Sequence, residues 1–263
     1  MKRSKFSKVS IILLMMILLF GSTNVIASML ANIEDSKYVE WYGKSNKSKK
    51  VNKYINSNKK ICNNIEKINT HDDKVAKMQI NNTDISTMST KELINACLEY
   101  PMFGDMFFYN NDQEGIEGII DDFNGLKELF KREDVGRELL DLYNNIDLGI
   151  VEQESEYPLL HLKYLETLIA QRKTLDLLNL DERNQLLEIC KKRLTEIIDR
   201  EDDCFNPIST VWIITRILYL DDLSFRKLVD SSKRLKEFEK YGTVNEVTND
   251  EINLVISYIN DKM

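Results

Sequence analysis

The sequence predicts an all-α fold, and three observations carry that prediction. From Ser89 onward apolar residues recur at helical spacing almost without interruption. No segment of comparable length alternates with the period of two that a strand requires. Gly (9) and Pro (3) are scarce in 263 residues, which argues against a many-turned β-sandwich. At 43% apolar and 30% charged residues the chain is too apolar for disorder throughout, and it is long enough for one sizeable core or two small ones.

The first element reads as an export signal over residues 1–27. Lys2, Arg3, Lys5 and Lys8 form a basic start, Ile11 to Phe20 is an unbroken apolar run, and Val25-Ile-Ala27 places small residues for cleavage after Ala27. A spanning helix needs about 20 apolar residues, and this run, even extended back to Val9, is little more than half that. Retained, the segment would instead tether the protein to a membrane. Cleavage takes the formal charge from −7 to −11, because the segment carries four positive charges and no carboxylate.

Residues 28–85 read as a Lys/Asn-rich arm, largely disordered or weakly helical. They hold 11 Lys against 7 Asp and Glu, with Lys44-Ser-Asn-Lys-Ser-Lys-Lys50 as the densest stretch. Val51, Tyr54, Ile55, Ile61, Ile65 and Ile68 have some helical spacing, which fits a frayed amphipathic helix. Such an arm is either a solubilising linker or an adhesive for an anionic cell-envelope polymer. Residues 86–263 are strongly acidic, with 21 Lys and Arg against 36 Asp and Glu, so they would repel phosphates and argue against a nucleic-acid partner.

The α-helical domain is placed at 86–263. Ser89-Thr-Lys-Glu92 is a capping box that opens a helix through Leu93, Ile94, Cys97 and Leu98, and Pro101 ends or kinks it. Leu126, Leu129 and Phe130 follow Asn124-Gly125, and Val135, Leu139, Leu140 and Tyr143 make a short amphipathic helix. Leu159, Leu162, Leu165, Leu168 and Ile169 line a helix from near Pro158. Leu187, Cys190, Leu194 and Ile197 line the next, after an acidic start at Asp181-Glu182 that suits the positive end of a helix dipole. Behind Asn206-Pro207, the run Val211-Trp-Ile-Ile214 and Ile217-Leu-Tyr-Leu220 is apolar nearly all round and predicts a central buried helix. One or two helices from Asp222 to Tyr241 stop at Gly242, and Ile252, Val255, Ile256 and Ile259 line the last. Starts near 158, 207 and 247 have the spacing of a HEAT-like array of helical hairpins. No residue pattern repeats with them, so irregular bundle and array both fit.

Site chemistry is sparse. His71 and His161 stand in unrelated contexts, and neither belongs to His-Glu-x-x-His. No nucleophile elbow, phosphate loop or dinucleotide turn is present, so no catalytic, cofactor or metal residue is assigned. A hydrolase using a carboxylate pair is the alternative, with no pair distinguished. Cys97 and Cys190 fall on apolar helix faces as packed thiols; Cys62 and Cys204 lie in the arm and an acidic loop, where a bridge would tie down the arm but nothing in the spacing requires one, and free thiols are expected. Asn110-Asn-Asp112-Gln-Glu114-Gly115, with Asp121 at position 12, has the oxygen spacing of a calcium loop but lacks its final Glu. The simpler reading is a turn whose side chains cap the next helix.

One stretch carries a resemblance. Residues 88–143, which read Met88-Ser-Thr-Lys-Glu-Leu93, Ala96-Cys-Leu-Glu-Tyr-Pro-Met-Phe-Gly-Asp-Met-Phe-Phe-Tyr-Asn-Asn111, Gln113-Glu-Gly115, Phe123-Asn-Gly-Leu-Lys-Glu-Leu-Phe-Lys-Arg132 and then Leu139-Leu140 to Tyr143, resemble uncharacterised exported proteins of gut-associated and spore-forming bacteria. The resemblance covers about a fifth of the chain and implies no activity. Aromatics mixed with polar tips suit either a tight helical core or a recognition surface, whose candidates are Tyr100, Phe103, Asp105, Phe107, Tyr109 and Asn110. Together these features lead us to expect an exported, non-catalytic interaction module, secreted or at the cell surface. Its partner would be a protein or an anionic envelope polymer, with a tethered binding or immunity protein as the reading if the signal is retained.

Overall fold

The computed structural model describes residues 48–63, 68, 70–146, 156–198, 207–243 and 249–262. The signal segment and the arm up to residue 47 lie outside these. Fourteen α-helices and one 3-10 helix make up the described residues, with no strand among them, and they share one continuous apolar core.

The folded body begins well before residue 86. Helix α1 (Lys49–Cys62) is capped by the Ser48 hydroxyl and buries Val51, Tyr54 and Cys62. It packs on α4 (Thr90–Leu98), and the short helices α2 (His71–Lys77) and α3 (Asn82–Ile85) connect the two. Met78, Ile80 and Ile85 add to the same core. Where the sequence suggested an arm largely disordered or weakly helical over 28–85, the described part of it holds helices α1 to α3. Five lysines on α1 disguise a helix whose apolar residues, though few, share one face. Among those lysines, Lys50 donates to the Thr87 carbonyl (2.6 Å) and Lys53 pairs with Asp84 (2.7 Å).

Helix ends follow their caps. The Ser89–Glu92 box opens α4, and Pro101 follows its end. Asn111 caps α5 (Asp112–Asp122), which leads through Phe123 directly into α6 (Asn124–Leu129). Helices α7 (Val135–Asn144), α8 (Glu156–Ile169) and α9 (Arg172–Leu177) follow. Asn179 and Glu182 exchange reciprocal side chain–backbone bonds at the start of α10 (Leu180–Ile198).

Helix α11 (Ile208–Asp221) is buried at every position from Ser209 to Leu218, as its all-round apolar pattern predicts. Five helices enclose it: α8, α10, α12 (Leu223–Ser231), α13 (Lys233–Tyr241) and α14 (Asn249–Lys262). All five lie within three elements of it along the chain, an arrangement that fits an irregular bundle and an array of helical hairpins alike. Asp222 and Ser232 cap α12 and α13 and so split the segment the sequence left as one helix or two. Gly242 ends α13 at φ +74°, a conformation that L side chains rarely adopt. Cys62, Cys97 and Cys190 are buried free thiols, and Cys204 lies outside the described residues.

Candidate functional site

After α4 the chain turns at Pro101 into a 3-10 helix, Phe103–Phe108, laid across α5. Two glycines of α5 make that close approach. A Cβ at Gly115 would clash with the Met106 carbonyl, and one at Gly118 with the Tyr109 ring and hydroxyl. Gly115 therefore serves packing. The calcium-loop spacing is absorbed into helix: α5 starts at Asp112, whose carboxylate accepts from Lys163 Nζ (2.9 Å) and the Thr243 amide (3.1 Å).

The six sequence candidates divide into two groups. Tyr100 and Phe103 are core residues: Tyr100 stacks on Phe123 at 4.0 Å, and Phe103 stacks on Tyr164 at 4.2 Å. Burial raises the Tyr100 and Tyr164 phenols well above their usual range. Asp105 is also buried, with its Oδ2 2.9 Å from Nε2 of His71, and burial raises its carboxyl despite that histidine. Phe107 and Tyr109, each 45% exposed, face outward, and Asn110 is exposed and donates to Glu114 (3.2 Å).

Sequence reasoning missed two members. Phe108 is the most exposed of the three consecutive aromatics at 60%. The three-residue period of a 3-10 helix does not single it out, because Asp105 one turn earlier is buried. The sequence therefore held no signal that separates Phe108 from its buried neighbours. His71, 34 residues from Asp105, left no sequence signal of its partnership.

The electrostatics of this surface are one-sided. Between Pro101 and Leu126 the chain carries six carboxylates and no Lys or Arg; Asp105 and Asp112 are buried, and Glu114, Glu117, Asp121 and Asp122 remain at the surface. Lys74 supplies nearby positive charge from α2, and Lys163 is occupied by Asp112. The arrangement offers apolar ring area in an acidic frame.

The deepest carboxylate is elsewhere and is structural. Glu166 on α8 accepts from Tyr143 (2.6 Å), Thr210 (2.7 Å) and Ser209, so both oxygens are bonded by hydroxyls of α7 and α11. No cluster of three His, Cys, Asp or Glu placed to hold a metal occurs among the described residues. Comparison with family models, curated proteins and solved structures finds no match to this chain.

Proposed function

We propose that this chain is an exported, non-catalytic interaction module that docks a partner protein through Phe107, Phe108 and Tyr109. One observation carries the reading: Phe107 and Phe108 at the end of the 3-10 helix and Tyr109 just after it are 45%, 60% and 45% exposed, beside the buried Phe103, Asp105 and Met106. Aromatics are enriched where interfaces concentrate their binding energy, and a rigid base lowers the ordering cost of binding. The acidic frame selects a partner segment that combines apolar with Lys or Arg side chains. Action at or outside the cell surface rests on the N-terminal sequence alone. Among the described residues no helix is long and apolar enough to cross a membrane, so a tethered form would depend on retention of residues 1–27.

The test uses the mature chain and two synthetic 16-residue peptides of equal apolar content, one Lys/Arg-rich and one Asp/Glu-rich. The basic peptide should bind, the acidic one should not, and Phe108→Ser should weaken binding at least tenfold without lowering the melting temperature. Equal binding by wild type and Phe108→Ser removes the surface from consideration. Concentration-dependent self-association that Phe108→Ser abolishes would assign the surface to a second copy instead.

A further inference from the structure

The two most buried arginines of the C-terminal half differ in how their guanidinium groups are used. Arg216 donates to four acceptors, the carbonyls of Ala170, Glu239 and Lys240 and the side chain of Gln113, and lies over the Trp212 ring at 4.2 Å. That group joins four elements, and nothing about it is left over. Arg193 on α10 is 4% exposed and lies over the Tyr143 ring at 4.2 Å. One of its terminal nitrogens donates to the carbonyls of Tyr143 and Ile146 at the end of α7. Its Nε is buried without any hydrogen-bond partner, and no carboxylate of the described residues lies within ion-pair distance. Glu166, which also bonds Tyr143, is already held by its three hydroxyls.

Arg193 also lines a cavity of about 430 Å³ between the end of α7 and α10, together with Asn144, Asn145, Ile146, Ile189, Lys192 and Glu196. That volume lies within the range of small-ligand sites. A buried cation with no carboxylate of the described residues within ion-pair distance is costly, and carbonyls at a helix end offset only part of that cost. Lys192 adds a second positive charge at the cavity, held only loosely by Glu196 at 3.7 Å, and Asn144 adds an amide, whereas the Asn145 amide donates to the Asp141 carbonyl (2.6 Å). Capping the end of α7 accounts for the two carbonyl bonds of Arg193. It does not account for a donor-rich cavity beside the group.

We propose that this cavity binds a small anion, with Arg193 and Lys192 recognising its oxyanion group and Ile146 and Ile189 packing against the remainder. Carboxylate and phosphate share this chemistry, and the experiment separates them. The mature chain is titrated to 20 mM with sodium succinate and, separately, with sodium phosphate, with sodium chloride at matched ionic strength as reference, while amide resonances are followed. One of the two anions should give saturable shifts confined to residues 144–146 and 189–196, and the stronger binder identifies the class. Lys192→Glu, an exposed substitution that leaves the core intact, should weaken that binding at least fivefold, and Glu196→Gln should strengthen it. Non-saturable shifts, shifts reproduced by chloride, or equal affinity in wild type and Lys192→Glu would overturn the proposal.

Discussion

Two segments of similar apolar density meet opposite fates. Residues 211–220 on α11 and residues 100–109 around the 3-10 helix each hold a run of large apolar side chains in ten residues. Five helices enclose α11, and Trp212, Ile213 and Ile214 are fully covered. The second segment is covered on one side only, so Tyr100, Phe103 and Met106 are buried while Phe107, Phe108 and Tyr109 are half exposed. Apolar density measures what a segment has available to bury. The number of neighbours around it decides how much is buried, and the remainder is what a partner can use.

The strongest way to break this contrast is to remove the cover of the second segment. Tyr54 of α1 lies over Phe123, which in turn stacks on Tyr100. Deleting residues 28–85 strips Val51, Tyr54, Cys62, Met78, Ile80 and Ile85 from the core. At about 1.5–3 kcal/mol for each large side chain, the loss is on the order of 10 kcal/mol, comparable with a typical total stability. The 86–263 fragment should therefore show no cooperative thermal transition and should aggregate; a sharp melt would restore the autonomous domain that the sequence suggested. In the intact protein Cys62, whose thiol burial pushes up to about 11, should resist maleimide at pH 8 until denatured.

Next comes a cavity in the enclosed segment. Trp212→Ala removes a fully buried ring and its hydrogen bond to the Glu239 carbonyl (3.0 Å) and should cost about 3–5 kcal/mol in denaturant unfolding. Phe108→Ser, on the open side, should stay within about 0.5 kcal/mol of wild type. Equal losses at the two positions would mean that Phe108 is covered in solution.

Gly115→Ala sharpens the seating of the 3-10 helix. The added methyl meets the Met106 carbonyl, a backbone atom, so about 1–3 kcal/mol of overpacking opposes about 1 kcal/mol gained in helix propensity. Stability should fall modestly, while amide shifts at 103–109 change more than those at 208–221. An unchanged spectrum at 103–109 would refute the close approach.

The smallest effect is the pH dependence of Asp105. Its carboxyl is raised by burial, so between its unfolded and folded pKa values the native state holds more protons than the unfolded chain. Its ionisation therefore weakens the fold as pH rises through the folded pKa, and the effect disappears below the unfolded value. Asp105→Asn should gain on wild type near neutral pH, and the difference should shrink on acidification toward pH 4. A difference independent of pH would show that Asp105 does not titrate as its burial implies.

The sequence by itself determined what is local. Ser89 with Glu92, Pro101 and Gly242 mark helix ends because caps and breakers act on backbone groups a few residues away. The all-round apolar pattern of α11 required burial, since no single neighbour could cover it. Tertiary structure alone decided the rest. It recruited α1 to the core although Lys and Asn dominate its composition, because burial depends on one face and composition averages over all of them. It paired His71 with Asp105 and gathered Tyr143, Ser209 and Thr210 on Glu166, contacts between residues 23 to 44 apart that no local pattern encodes. It also left Phe107, Phe108 and Tyr109 in the open, because exposure belongs to a residue's surroundings, and those are made by chain that arrives from elsewhere.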